Sequence, residues 1–321
     1  MLSKIDLESV QEKNQQKLNQ REIFKIASIV ASYIFVSIIM VIFNKLMLNS
    51  FGMFPLTFLL GQLFVAVLIL RVFHYFKILD IPTSDYQDFE NLRYLILINV
   101  FGLSMNTFCL KYVDAILYQV ARSLVLPITL ILSRLTDEKS SFNYKIILSC
   151  IVIFAGFLIG MSPTSSINIS MIGIIFAIAS SASTSIHTIV IKKCFLQHKQ
   201  RTYSSWNLVY LNNLFSILFL LPVALITEFK SLINSQYSLF SFLFGILISG
   251  LIGLLINFTS FLQIKVTSPL THTVSSASRG VIQSVVAYFV LGEILTDKRI
   301  YGIAITLFGT TMYSVIKTLD M

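Results

Sequence analysis

The chain has 321 residues, of which 55% are hydrophobic and 12% are charged, about half the roughly 25% charged fraction of soluble domains. This composition excludes an ordinary soluble domain, and apolar runs of about 20 residues indicate a polytopic membrane protein. A net charge of +9 would suggest nucleic-acid binding in a soluble protein, but membrane proteins collect Lys and Arg in cytoplasmic loops. We therefore expect the lipid bilayer as a partner, and no nucleic acid.

The first 25 residues form a polar segment of mixed charge. The segment has no apolar stretch next to a small-residue cleavage site, so the first apolar span is expected to act as the insertion signal. Residues 1–25 are therefore predicted to be a cytosolic N-terminal tail.

Ten apolar runs follow this tail, and each is long enough to cross a bilayer as a helix. The predicted spans are 26–48, 54–77, 93–111, 114–134, 144–162, 170–193, 206–227, 239–263, 267–291 and 300–318. The connections between them are short, so no soluble domain is expected between spans. The sequence thus predicts an all-α polytopic membrane protein with ten transmembrane helices.

The basic residues predict the orientation of these spans. If the N-terminus is cytosolic, most of the 24 Lys and Arg residues fall in the tail and loops on the cytosolic side. Such an excess is typical of cytoplasmic loops. Both termini are therefore predicted to be cytosolic.

The two halves of the chain resemble each other weakly. In each half, a span with an internal arginine leads to a loop with a glutamate, Glu138 or Glu293, and then to a span that contains glycine. Five spans per half is an odd number, so equivalent helices run in opposite directions, as in inverted-repeat transporters. We predict two five-helix repeats, residues 26–162 and 163–321, with a binding site between them near the bilayer midplane.

Three cations lie inside apolar spans: Arg122, Arg279 and Lys45. A guanidinium cannot lose its proton, and an Arg at the centre of a span costs roughly 2.5–3.5 kcal/mol on an insertion scale. No span carries an obvious buried carboxylate that would neutralise these cations. We therefore expect an anionic ligand, with the three cations binding its phosphate groups. For Arg122, the alternative is a structural clamp on backbone carbonyls.

Polar neighbours of the two arginines are further candidates. Tyr118 lies four residues before Arg122 on the same helical face, where its phenol could bind phosphate or a ring. The alternative is an aromatic anchor at the membrane interface. Ser275 and Ser276 precede Arg279, where they either line a groove or let helices pack closely.

The seventh span contains an asparagine pair, Asn212 and Asn213. Each amide offers a donor and an acceptor, so the pair could read the edge of a nucleobase. The alternative is that they join helices. Asn106, His187 and Asn257 are weaker candidates, because a lone buried polar residue more often bonds to a neighbouring helix.

Signals of catalysis and metal binding are absent from the sequence. The three cysteines are an odd number and do not form a disulfide framework or a metal site. No P-loop or nucleophile elbow is present. We expect no catalytic residue, no metal and no cofactor.

Four stretches resemble the nucleotide-sugar transporters of the drug/metabolite transporter superfamily, and within them the GDP-fucose transporters. They are FNKLML at 43–48, NTFCLKYVDAILYQVARSL at 106–124, VYLNN at 209–213 and LQIKVTSPLTHTVSSASRG at 262–280. The last stretch is the most similar to its family counterpart. Two departures are Arg279, where these carriers usually have Lys, and VYLNN, where several GDP-sugar carriers have FYNN.

This resemblance implies a ten-helix fold in the Golgi membrane, with the endoplasmic reticulum as an alternative. It also implies that GDP-fucose enters the lumen in exchange for GMP. Other GDP-sugars and phosphorylated metabolites of the triose-phosphate type remain alternative cargoes. A non-transporting membrane regulator, in which the buried cations are structural, is a further alternative, and a homodimer is left open.

Overall fold

A computed structural model describes residues 2–51, 54–81, 86–136, 144–162, 171–197, 204–233, 239–267 and 269–319, with most of their side chains from residue 24 onward. These residues form helices and short connections, with no strand among them. The helices are α1 (Leu2–Phe51), α2 (Pro55–Tyr75), α3 (Tyr86–Tyr112), α4 (Ala115–Arg122), α5 (Val125–Thr136), α6 (Tyr144–Gly160), α7 (Met171–Gln197), α8 (Ser205–Ile233), α9 (Leu239–Val266), α10 (Pro269–Leu291) and α11 (Asp297–Leu319).

Nine segments in the described ranges are long and apolar enough to cross a membrane. One of them, Ala115–Leu135, comprises α4 and most of α5. The α6 helix is also apolar but has only 17 residues. The all-helical membrane class is thus confirmed, whereas ten spans in two inverted repeats stay a prediction. The helix α1 begins at Leu2 and includes most of the predicted tail, whose cytosolic location also stays a prediction.

The fourth predicted span is interrupted in the structure between Arg122 and Val125. Pro127 explains the interruption, because it has no N–H to donate to the Ser123 carbonyl and its ring would clash with that carbonyl in a continuous helix. At the start of a new helix the missing N–H is not needed. The break therefore falls directly after a candidate site residue, an arrangement that occurs at the sites of transporters with discontinuous helices.

Two serines of α7 satisfy backbone carbonyls at this interruption. The hydroxyl of Ser181 donates to the Ala121 carbonyl at 2.9 Å, and that of Ser185 donates to the Val125 carbonyl at 3.0 Å. Both carbonyls also accept within their own segment, from the N–H of Leu124 at 3.2 Å and from the hydroxyl of Thr129 at 2.6 Å. The serines of α7 therefore add hydrogen bonds that connect α7 to the broken helix.

The helices pack so that α4 lies at the centre and α6 against α11 at the side. Every residue from Ala115 to Ala121 is buried. Glycines bring α6 and α11 together, since a Cβ added at Gly302 would lie 2.5 Å from the Cα of Gly160. Close approach through small residues is typical of helix pairs in membranes.

Large apolar side chains cover the outer surface of the bundle. Phe240, Ile226 and Phe289 are 78%, 85% and 77% exposed. So much exposed apolar surface would be unfavourable in water but is suited to lipid. Polar side chains within the membrane are unfavourable on this lipid-facing surface, so they lie between the helices.

Candidate functional site

A central cavity of about 210 Å³ lies among α1, α2, α3, α4, α7, α9 and α10. Its polar lining comes from both halves of the chain, and none of its described lining residues is Asp or Glu. The polar side chains that line it are Tyr33, Asn44, Gln62, Asn99, Asn106, Thr107, Tyr118, Arg122, Ser183, Thr184, His187, Thr188, Asn257, Ser260, His272 and Arg279. The cavity thus holds two permanent positive charges and, in its described lining, no negative charge.

Arg122 is held at the end of α4 by polar neighbours on one side. Its Nη1 donates to the hydroxyl of Tyr118 at 2.8 Å and to Oδ1 of Asn106 at 3.4 Å. The Tyr118 hydroxyl also lies 3.3 Å from that same Asn106 oxygen. Nε of Arg122 is buried and has no hydrogen-bond partner in the described part of the chain. The guanidinium is therefore oriented but keeps unused donors.

Arg279 reaches the same cavity from α10 and is only 2% exposed. Its Nε lies 3.4 Å from the Ser276 carbonyl, and its guanidinium carbon lies 5.7 Å from the ring centre of Tyr33. Tyr33 in turn contacts His272, with 4.7 Å between ring centres. Both arginines line this one cavity, so their like charges repel each other. A shared anion would relieve both the repulsion and the lack of a counter-charge.

Lys45 lies outside the central cavity, so the structure does not bring it together with the arginines. Its Nζ donates to the carbonyls of Leu110 and Val113, both at 2.8 Å, and it lines a second cavity with Asp114 and Glu293. Unlike the two arginines, Lys45 therefore shares a cavity with two carboxylates. Asp114 is the first residue of the predicted span 114–134 and Glu293 follows α10, so neither is near Lys45 in the sequence.

Two carboxylates cap the first turns of helices. The Glu293 oxygens accept from the N–H groups of Ala115 and Ile116 at 2.7 and 2.9 Å, at the start of α4. Burial raises the pKa of the Glu293 carboxyl, and these two hydrogen bonds act in the opposite direction. Glu228 of α8 caps α2 through the N–H groups of Leu56 and Thr57. Both contacts use the positive end of a helix.

The asparagine pair of α8 lies behind the cavity wall. Asn212 and Asn213 are 1% and 0% exposed, and neither lines the cavity. Oδ1 of Asn213 accepts a hydrogen bond from Nδ2 of Asn257 at 3.3 Å, and Asn257 does line the cavity. Oδ1 of Asn212 and Nδ2 of Asn213 have no partner among the described residues. The residue with direct access is therefore Asn257.

The two serines before Arg279 do not line the cavity either. Ser275 and Ser276 are buried. The Ser275 hydroxyl accepts from Nε2 of Gln263 in α9 at 3.0 Å, which agrees with a role in helix packing. The contribution of Ser276 is its backbone carbonyl near Arg279.

Several lining residues were missed or ranked low by sequence analysis. Asn106 and His187 were weaker candidates, yet both line the cavity, and Nε2 of His187 is buried without a partner in the described residues. Tyr33 and Asn44 were missed, although Tyr33, Met40 and Asn44 recur at helical spacing and so share one face of α1. That spacing was the signal that could have identified them.

Comparison with known proteins gives matches over most of the chain. The model of the Triose-phosphate Transporter family matches residues 24–314. GDP-fucose transporter 1 of Dictyostelium discoideum is 29% identical, over 92% of this chain and 82% of that protein. The GDP-fucose transporter, Golgi, of Drosophila melanogaster is also 29% identical, over 92% of this chain and 91% of that protein. A solved crystal structure with 11% sequence identity has the same fold, with a TM-score of 0.64 over 92% of this chain and 99% of that one.

Proposed function

Because this chain belongs to the Triose-phosphate Transporter family, we propose that it is a nucleotide-sugar antiporter. Its cargo in this proposal is GDP-fucose, which enters the Golgi lumen while GMP leaves. The names of the relatives from Dictyostelium discoideum and Drosophila melanogaster support the cargo and the compartment.

The observation that carries the proposal is the pair of arginines in one cavity without a carboxylate in its described lining. Arg forms bidentate hydrogen bonds with phosphate oxygens and remains charged at any physiological pH. A nucleoside monophosphate carries a charge of about −1.5 to −2 near pH 7, and the two phosphates of a nucleotide sugar carry one charge each. Both cargoes therefore match the charge of Arg122 and Arg279. Lys45 is left out of this phosphate site because backbone carbonyls already hold it.

The neutral part of the cargo would meet the amide and imidazole groups of the cavity. Asn257 of α9 offers a donor and an acceptor to a base, while Asn213 behind it fixes the orientation of its amide. His187 presents an unpartnered nitrogen to the cavity from α7. In this proposal Asn213 acts on base selection through Asn257, and Tyr118 orients Arg122.

Alternating access would follow from ten spans in two inverted repeats, with both termini cytosolic. The cavity of about 210 Å³ is smaller than the roughly 300–1,000 Å³ of typical ligand pockets. Cargo entry therefore requires the helices to separate on one side. An empty carrier would have to reorient with two unneutralised guanidinium groups, so loaded carriers should reorient faster. Obligatory exchange is the consequence.

The proposal is tested by counterflow into liposomes that contain the purified protein. Vesicles preloaded with GMP receive labelled GDP-fucose, with GDP-mannose, UDP-sugars and triose phosphate as competitors. We expect GDP-fucose and GMP to compete most strongly. Strong competition by triose phosphate alone would instead assign a phosphorylated-metabolite exchanger, and no uptake in any condition would favour a non-transporting regulator.

A further inference from the structure

Lys45 fastens the end of α3 to α1. Its Nζ donates to the carbonyls of Leu110 and Val113, both at 2.8 Å, and the residue is 6% exposed. The last carbonyls of a helix have no partner within the helix, and a cation at that end is favourable. Breaking this contact would leave both the ammonium and the carbonyls without partners.

Lys192 fastens the end of α9 to α7 in the same way. Its Nζ donates to the carbonyls of Ile264 at 3.2 Å, Lys265 at 3.3 Å and Thr267 at 2.8 Å. Lys192 is half-buried, so this contact is more accessible than that of Lys45.

The two lysine contacts occupy equivalent places in the two halves of the chain. Each lysine lies on the first helix of its half, α1 or α7, and each binds the end of the third helix, α3 or α9. In both halves two acceptor carbonyls are three residues apart, at 110 and 113 and at 264 and 267. Each bound helix end is followed within three residues by the start of the helix that carries the cavity arginine.

We infer that Lys45 and Lys192 are positioning residues of the transport cycle. Each lysine holds in place a helical hairpin, α3–α4 for Lys45 and α9–α10 for Lys192, whose second helix carries a cavity arginine. In a ten-span arrangement α1 and α7 run in opposite directions, so the two contacts lie at opposite ends of the cavity. Opening toward one side then requires release of the lysine on that side. This inference rests on the proposed antiport function.

The two ends differ in how firmly they are closed. Near Lys45, Arg299 donates to Asp114 at 2.8 Å, and Glu293 caps α4 through Ala115. Lys192, by contrast, is half-buried, so water reaches its contacts more easily than those of Lys45, which is 6% exposed. The Lys192 end should therefore open more readily than the Lys45 end.

Native cysteines report on each contact separately. Cys109 directly precedes the Leu110 carbonyl and is 0% exposed, whereas Cys194 lies two residues after Lys192 and is 8% exposed. The full-length protein in liposomes is treated with N-ethylmaleimide, and mass spectrometry follows the alkylation rate of each thiol. Cys150 on α6, away from both contacts, serves as the internal control.

We expect Lys45→Met to raise the alkylation rate of Cys109 about fivefold or more and to leave Cys194 unchanged. Lys192→Met should do the reverse, and Lys192→Arg, which keeps a cationic donor, should behave like the unmodified protein. In exchange assays both Met variants should change kcat with little change in KM for GMP, because neither lysine lines the cavity.

The outcomes separate this inference from a general structural role. Faster alkylation of all three thiols in either variant would show global loosening and overturn it, as would unchanged rates in both variants. If Lys45→Met does not fold, Lys192→Met and Lys192→Arg carry the test alone. Failure of the proposed function would be seen differently, as an absence of GMP exchange by the unmodified protein, while the thiol rates still report whether the contacts hold the hairpins.

Discussion

At the residue scale, the two cavity arginines are incompletely satisfied by the protein. In the described part of the chain, Arg122 donates through Nη1 to Tyr118 and Asn106, and Arg279 has a long contact to the Ser276 carbonyl. A guanidinium has five N–H donors, so each arginine keeps several for a ligand. A purely structural arginine would be expected to use more of its donors within the protein.

Removing the charge of either arginine should impair cargo binding more than folding. Arg122→Gln or Arg279→Gln removes charge-assisted hydrogen bonds worth about 1.5–3 kcal/mol, which corresponds to a roughly 10- to 100-fold loss of affinity for GMP. Arg279→Lys should retain part of the affinity. GMP binding to purified protein measures this, with the exposed Arg93→Gln as the matched control. Unchanged GMP affinity in both Gln variants would refute the phosphate site.

Base selection should depend on Asn257. Asn257→Ala leaves a polar group of the base unpaired, at a cost of about 1–3 kcal/mol, and Asn213→Ala should have a smaller effect of the same kind. Competition by GMP against UMP and CMP measures the selectivity, and the exposed Asn91→Ala is the control. An equal loss for all three nucleotides would mean that Asn257 supports the helices and does not read the base.

At the scale of single elements, the interruption between α4 and α5 places Arg122 at a helix end inside the bundle. Pro127 causes the interruption, and hydroxyls of α7 satisfy the carbonyls beside it. The position of Arg122 therefore depends on a neighbouring helix as well as on its own.

Ser181→Ala and Ser185→Ala should each lower the free energy of unfolding by about 1 kcal/mol, because each leaves a carbonyl at the interruption without that hydroxyl. Ser284→Ala is the matched control, since the Ser284 hydroxyl is buried but donates to a carbonyl of its own helix at 2.9 Å. Thermal unfolding in detergent measures the difference. If the control lowers the melting temperature as much as the two α7 variants, the interruption does not need these serines.

At the scale of the whole molecule, the described lining of the cavity combines two positive charges with no carboxylate. Both halves of the chain contribute to this cavity, one arginine each. A rearrangement that moves the halves relative to each other would therefore change the distance between the two guanidinium groups, and a bound anion would stabilise the arrangements in which they are close.

Transport should consequently be an exchange. Vesicles preloaded with GMP should take up labelled GDP-fucose many-fold faster than empty vesicles, because the empty carrier reorients with two unneutralised charges. A pH gradient should not replace internal GMP, since the described lining residues include no carboxylate, and the two lining histidines, His187 and His272, share the cavity with two permanent positive charges. Concentrative uptake into empty vesicles under a pH gradient would instead indicate a proton-coupled symporter.

The sequence by itself determined the class and most helix positions of this protein. Length and hydrophobicity of a span are local properties, and they predicted the helices to within a few residues at most ends. A guanidinium cannot escape its charge, so Arg122 and Arg279 stood out in apolar segments without any knowledge of their neighbours. The fourth span was predicted as one helix over 114–134, although Pro127 was a signal for its interruption, because proline disfavours the interior of a helix.

Only the tertiary structure decided which polar residues share the cavity. The rotation and packing of each helix set the direction of its side chains, and neither follows from the composition of that helix alone. Packing placed Asn213 behind Asn257 and brought His187 to the cavity wall. Lys45 was directed to backbone carbonyls far from it in the chain, because a buried ammonium binds the acceptors that neighbouring helices present to it.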